Sequence, residues 1–272
     1  LPLQAALADA QVVGLGGSTR GAHDLFAIKH RLLRLLVERL GFRSLALEED
    51  WTKGVQLDEY VRTGAGDPVH LLADARPFWR NRETVDLLLW LRSYNRQHPE
   101  DPVRLFGVDI TGVRALAYDA VTAYVGAVAP QLLDELEDHY AILRPSGEID
   151  EHIGWYRSQA DKVGPVERAR LAYDLVEQLD DAASTDRALA LQHARAIVAF
   201  YEYYALDSVG YVERCLAGNT VWWYEHTGDK IVYWGGSAHT AVGNPATISS
   251  PPWPPRVHRN AGAYLRSYFG SS

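Results

Sequence analysis

The chain has 272 residues, 47% of them hydrophobic, enough to bury a sizeable core in one large α/β domain or two small ones. Its formal net charge of −8 excludes a general nucleic-acid binder, which needs a basic footprint, but allows a basic pocket on an acidic protein. A single cysteine, Cys215, excludes an internal disulfide framework and suits a reducing compartment, and no apolar run reaches the roughly 18 residues that suggest a membrane span. No signal-peptide pattern opens the chain, so the expected location is cytoplasmic. The absence of any Met, even at position 1, suggests that the native start is missing.

Residues 11–16 (QVVGLG) read as a strand. Residues 22–40 read as a helix with Leu25, Ile28, Leu32, Leu35 and Leu36 as its buried stripe and Gly41 as its stop. Residues 43–48 (RSLALE) read as a second strand, closed by the acidic run Glu48-Glu49-Asp50. The first 50 residues therefore form a βαβ unit, with a parallel pair and a right-handed crossover. Two short helices are expected within 55–75 and a stronger one over 82–97, anchored by Val85, Leu88, Leu89 and Leu91. A third strand over 103–108 (VRLFGV) ends at Asp109. Helical patterns then follow over 112–125, 129–142, 148–161, 165–181, 184–206 and 208–227. A fourth strand, 230–234 (KIVYW), runs directly into Gly235-Gly236-Ser237-Ala238-His239. Residues 244–256 hold five of the 13 prolines and read as a loop, and 261–269 start one more helix. The expected fold class is α/β: a parallel sheet core (1–110 and 228–272) with a large helical insertion (111–227) between strands three and four.

Ligands of open α/β sheets bind at the carboxyl ends of the strands. Four clusters fall there: Arg20/His23, Glu48/Glu49/Asp50, Asp109 and His239. The first turn, Gly14-x-Gly16-Gly17-x-x-Arg20-Gly21, fails the dinucleotide fingerprint, because Thr19 stands where the third glycine is required. Arg20 at a helix N-terminus reads as a clamp for phosphate, sulfate or carboxylate, or as the partner of the Glu48 cluster, and the two roles are compatible. His23, in the first helical turn, is expected to have a lowered pKa and to serve as a neutral general base. His30, two turns on, reads as a surface or packing histidine. Glu48 closes a buried strand, where a carboxylate is costly unless paired, so it is either catalytic or bridged to Arg20 or Lys29. Glu49 and Asp50 read as solvated turn residues. His239, on its Gly-Gly-Ser turn, is either a plain loop histidine or a third catalytic candidate. Arg20, Lys29, Asp109 and Ser237 are the substrate-binding candidates. There is no H-x-x-x-H pair, no metal site is expected and no cofactor is implied. A G-x-S-x-G nucleophile elbow is also missing.

With these residues in hand, the chain resembles the erythromycin esterase superfamily. The resemblance runs in order through LGFRSLALEEDW, WRNRETVDLLLWLRSYNR, RLFGVDITG, YVERCLAGNTVWW, KIVYWGGSAHTAV and AGAYLRSYFG. It implies a parallel α/β core with a large helical part around a deep cleft, and metal-independent lactone hydrolysis in which a histidine activates water. The family's first motif, roughly G-E-x-x-H-G, has Gly17 here in place of its glutamate and Arg20 in place of its water-activating histidine. The basic residue on the following helix, usually Arg, falls on Lys29, and the acidic residue closing the second strand is kept as Glu48. The late motif, roughly W-x-H-N-x-H, becomes Trp234-Gly235-Gly236-Ser237-Ala238-His239, with its first histidine lost to Gly236 and its second kept. Family members continue well past the segment matching AGAYLRSYFG. A small partner chain completing the fold is therefore expected if the chain itself is not cut, since an open core would expose apolar surface.

An Arg in place of the base changes the expected chemistry, because Arg cannot accept a proton at neutral pH. It can hold an anionic leaving group while Glu48, His23 or His239 takes a proton from an amine or hydroxyl of the same substrate. The expectation is a secondary-metabolite tailoring enzyme that is not hydrolytic, carrying out elimination or intramolecular displacement, such as ring closure with loss of sulfate or phosphate. Its partner is then a small molecule with an anionic group, with neither nucleic acid nor membrane involved. Two alternatives stand beside it: an ester or lactone hydrolase using His23 or His239 as base with Arg20 at the oxyanion, and a non-catalytic subunit of a heteromeric complex.

Overall fold

The four apolar runs become strands β1 (Val12–Leu15), β2 (Phe42–Asp50), β3 (Arg104–Asp109) and β4 (Lys230–Trp234), in a computed structural model that describes residues 2–179, 184–249, 252 and 254–270. They form one sheet in the order β1-β4-β2-β3, with β4 parallel to both of its neighbours. The expected direct pairing of β1 with β2 is therefore corrected: β4 lies between them. The cause is composition. Ile231, Val232, Tyr233 and Trp234 are all buried, and a strand apolar on both faces belongs at the centre of a parallel sheet, whereas β1 exposes Gly14. The register sets Leu15 and Leu47 on either side of Trp234. The residues that follow each of them thus lie at one level at the carboxyl ends of the strands, and this level carries the site.

Helix α1 (Pro2–Leu7) precedes β1, and α2 (His23–Leu40), α3 (Trp51–Thr63), α4 (Pro68–Leu71) and α5 (Arg82–Gln97) separate the first three strands. The helical insertion before β4 holds α6 (Ala115–Val128), α7 (Leu133–Tyr140), α8 (Ile149–Ser158), α9 (Val163–Glu177), α10 (Thr185–Leu206) and α11 (Val209–Thr227). Residues 180 and 181 of the helical pattern expected over 165–181 lie outside the described residues. After β4 come α12 (Ser237–Thr240), the antiparallel pair β5 (Ala246–Ile248) and β6 (Arg256–His258), and α13 (Ala261–Phe269). The stretch 244–256 is thus not all loop, since Ala246 to Ile248 pair with β6; residues 250, 251 and 253 lie outside the described part. No helix among the described residues is long and apolar enough to cross a membrane.

Helix α2 ends as its sequence dictates, on Gly41 at φ 72°, a left-handed position that favours glycine. Its buried face is not the expected leucine stripe. Phe26, Lys29, Leu33, Leu36 and Val37 are buried, while Ile28 is 53% exposed. Both stripes obey helical spacing, and the aromatic Phe26, packed against Trp79 and Trp234, selects the one that includes a lysine.

Contacts divide the chain into two units. The first comprises residues 1–49, 53–109 and 213–272; the second, 50–52 and 110–212. The first unit's core joins Leu33 and Leu36 of α2, Leu45 and Leu47 of β2, Leu87 and Leu91 of α5 and Val232 of β4. Each such side chain contributes about 1.5–3 kcal/mol when fully buried. The second unit's core is aromatic, with Tyr118, Tyr140, Tyr156, Phe200 and Tyr201 at its centre. Helix α11 crosses the division, so that its residues from Glu213 onward belong to the first unit.

Candidate active site

Glu48 is the hub. It follows Leu47 near the carboxyl end of β2, and its side chain is only 5% exposed. Its Oε1 accepts from Arg20 Nε at 2.9 Å and from Arg20 Nη2 at 2.5 Å, and its Oε2 accepts from the backbone N–H of Gly236 at 2.6 Å. His239 Nε2 lies 3.3 Å from Oε1. Burial would raise the Glu48 pKa, but bonds from His239 and Arg20 outweigh it and hold the carboxyl at about 2.

His239 stands between two carboxylates. Its Nδ1 is 2.8 Å from Glu213 Oε1, and Glu213 is fully buried on α11 with its Oε2 accepting from Ala261 N–H at 2.8 Å. His258 approaches the same Oε1 to 3.4 Å. Burial alone would lower the His239 pKa; the bonds to Glu213 and Glu48 instead push it to about 9, so the ring is an imidazolium at neutral pH.

Lys29 enters from the buried face of α2. Its Nζ donates to Gly235 O at 3.0 Å and lies 5.5 Å from the centre of the Trp234 ring. Burial lowers its pKa, Glu48 opposes this and Arg20 adds to it, leaving it at about 8. Phe26, Phe78, Trp79 and Trp234 line the hollow between Lys29 and Arg20, whose volume of about 10 Å³ is room for about one water-sized group.

Two glycines make space for these cations. A Cβ at position 236 would lie 2.7 Å from Arg20 Nη2, and one at position 17 would lie 3.2 Å from Lys29 Nζ. The positions where the resemblance had placed a histidine and a glutamate are thus filled by the guanidinium of Arg20 and the amine of Lys29. The four exchanges, at 17, 20, 29 and 236, pack as one set.

The structure therefore brings together Arg20, Lys29, Glu48 and His239, with Ser237 at the exposed start of α12, where its N–H donates to Gly17 O at 2.9 Å. It takes His23 elsewhere: the ring is 74% exposed and its Nδ1 lies 2.5 Å from Glu83 Oε1. The lowered His23 pKa expected from the helix dipole is reversed, because the bond to Glu83 and its charge raise it. Asp109 sits buried at the end of β3, 2.8 Å from Arg76 Nη2. Glu49 and Asp50 are not solvated but buried: Glu49 accepts from Arg76 N–H at 2.7 Å, and Asp50 is bonded to Thr52 and Arg114. His30 is half-buried, and burial lowers its pKa.

Glu213 went unrecognised in the sequence. The signal was present: it shares a helix face with Leu216, Ala217 and Thr220, all buried, and a carboxylate on such a stripe needs a buried partner.

The erythromycin esterase family matches residues 37–272. Over 109 residues the chain is 30% identical to the Escherichia coli erythromycin esterase type II, a stretch covering 40% of this chain and 26% of that one. A solved Bacillus cereus protein superposes with a TM-score of 0.88 at 30% identity, over 99% of this chain and 65% of that one. A mutant of the erythromycin esterase EreC in its open conformation superposes with a TM-score of 0.73 at 17% identity, over 97% of this chain and 69% of that one, a likeness of fold. The chain thus spans about a quarter of the curated relative and about two thirds of the solved ones.

Proposed function

Because the chain belongs to the erythromycin esterase family, we propose that it is an enzyme acting on a small molecule in which the family's water-activating arrangement has been replaced by an anion clamp. The reaction is an elimination or intramolecular displacement, such as ring closure in the tailoring of a secondary metabolite. Arg20 holds the departing anion. Glu48 holds Arg20 and His239 in place. The His239 imidazolium adds charge, and Lys29 and Ser237 add donors beside it. Asp109 orders Arg76 at the neighbouring strand end.

One observation carries this reading: the guanidinium of Arg20 lies on Glu48 beside a histidine held between two carboxylates. A guanidinium is no proton acceptor, Glu48 is ionised with a pKa of about 2, and His239 is protonated up to about pH 9. Among these three no neutral imidazole is ready to activate water, and losing a general base costs about 10²–10⁴ in rate. A preorganised cation beside an aromatic wall stabilises the charge that develops on a leaving group.

The named relative favours a second reading, ester or lactone hydrolysis. The two part on one set of measurements. Incubation with p-nitrophenyl esters and with macrolides should release no acid above background. Calorimetry should detect sulfate binding that Arg20→Ala weakens at least tenfold. Ester cleavage that His239→Gln abolishes would overturn the displacement reading in favour of hydrolysis.

A further inference from the structure

The clamp leaves one chemical need unmet. A displacement by an amine or hydroxyl releases a proton, and Arg20, Glu48 and the imidazolium of His239 are each poor acceptors. We propose that Lys29 is the proton acceptor of the site: a buried amine facing Arg20 and Glu48 across the aromatic hollow, which takes the proton of the attacking group. The inference rests on the displacement reading for its chemistry, and on four observations of its own.

First, Lys29 is buried on the packed face of α2, where a lysine is costly unless its charge is paired or lost. Second, its Nζ donates to a carbonyl, Gly235 O, and not to a carboxylate; Lys53, also buried, instead reaches Asp74 at 2.6 Å. Third, Lys29 lines the same small hollow as Arg20, Glu48 and Trp234, so a group entering to react meets amine and guanidinium together. Fourth, Gly17 opens the space around Nζ. The charged groups facing the amine are Glu48 from β2, which favours the ammonium, and Arg20 from the turn after β1, which disfavours it; His239 approaches the Glu48 oxygen that Arg20 also holds. Burial sides with Arg20, and a lysine so placed titrates near neutrality, as general-base lysines do.

In the step itself, the lone pair of the attacking nitrogen or oxygen forms the new bond to carbon. Its proton passes to Lys29 Nζ, and the carbon–oxygen bond to the leaving group breaks with its electron pair departing on the anion held by Arg20.

The chain has four lysines, Lys29, Lys53, Lys162 and Lys230, so the test is direct. With lysine labelled at Cε, NMR should show one resonance, absent in Lys29→Met, that titrates near pH 8, rises toward the ordinary lysine range in Arg20→Ala, and rises again when sulfate is added. Sulfate binding measured by calorimetry at pH 8 in two buffers of different ionisation enthalpy should show proton uptake by the wild type and none by Lys29→Arg. A Lys29 resonance still fully protonated at pH 10, or uptake unchanged in Lys29→Arg, would overturn the assignment. Failure of sulfate to bind while Lys29 titrates near pH 8 would count against the anion clamp and leave the acceptor standing.

Discussion

Each unit buries a polar network, and the two are built on opposite principles. In the first unit the network is ionic: Arg20, Glu48, His239 and Glu213 stand in line, and His239 is driven to about 9. In the second it is neutral. Tyr201 donates to Leu143 O at 2.5 Å, Tyr118 to the same carbonyl at 3.0 Å and Tyr156 to Lys162 O at 2.9 Å, while His193 accepts from Trp51 Nε1 at 3.2 Å and burial takes it down to about 4. The hydroxyls of the second unit end on backbone carbonyls, where they satisfy acceptors and fix helix packing. The charges of the first end on one another at the rim of a hollow. Burial is common to both; in the first, opposed charges drive the titration of His239 against it, and that marks a site.

The sharpest way to break the contrast is Glu48→Ala. It removes the shared partner of Arg20 and His239 and should destabilise the chain by about 3–5 kcal/mol in urea unfolding. The lower end is expected, because the Arg20 side chain is 38% exposed and can turn to water. A loss under about 1 kcal/mol would mean that the ionic line contributes nothing to the fold.

Next in size is the pH dependence, where His239 and His193 act with opposite sign. His239 has a folded pKa of about 9, above its unfolded 6.5, so its stabilisation is complete below pH 6.5 and is lost as pH rises to about 9. Lys29, lowered to about 8, works against that loss above pH 8. His193, lowered to about 4, costs stability as pH falls from 6.5 to about 4. Urea midpoints should therefore decline on both sides of pH 6.5. His239→Gln should flatten the alkaline side alone, and His193→Gln the acid side alone. An alkaline limb that survives His239→Gln would refute the raised imidazolium.

Tyr201→Phe tests the neutral network. Removing its hydroxyl leaves Leu143 O with the weaker bond from Tyr118 and takes the oxygen 2.8 Å from His152 Nε2 away, for an expected loss of about 1–3 kcal/mol. Sulfate affinity and the alkaline limb should not move. If either does, the second network is not merely structural.

The sequence made the architecture legible because strands and strand ends leave strong marks: four apolar runs, then glycine, arginine or acid. Glu48 and His239 could be read at those ends. What could not be read was side-chain direction. His23 and Arg20 are three residues apart, yet one bonds Glu83 on the surface and the other Glu48 beneath it. Leu25 to Leu36 offered two equally good helical stripes, and only the aromatic contacts of Phe26 decide that Lys29 lies on the buried one. The order β1-β4-β2-β3 was likewise beyond local pattern, since a strand from near the end of the chain inserts between the first two.

The smallest effect on stability is expected from Gly236→Ala, and it bears most directly on why the site departs from its relatives. The added methyl would lie 2.7 Å from Arg20 Nη2, closer than carbon and nitrogen tolerate. The atom that must yield is the tip of a long side chain and not backbone, so the fold can relax at a cost of about 1 kcal/mol. Yielding moves the guanidinium off Glu48 Oε1, where its two bonds of 2.9 and 2.5 Å depend on place. The variant should therefore keep nearly all its urea stability while losing sulfate affinity severalfold, and Arg20→Ala made in the same background should lose little more. If Gly236→Ala binds sulfate as the wild type does, the glycine is not there to seat the arginine, and the exchanges at 20 and 236 are independent events.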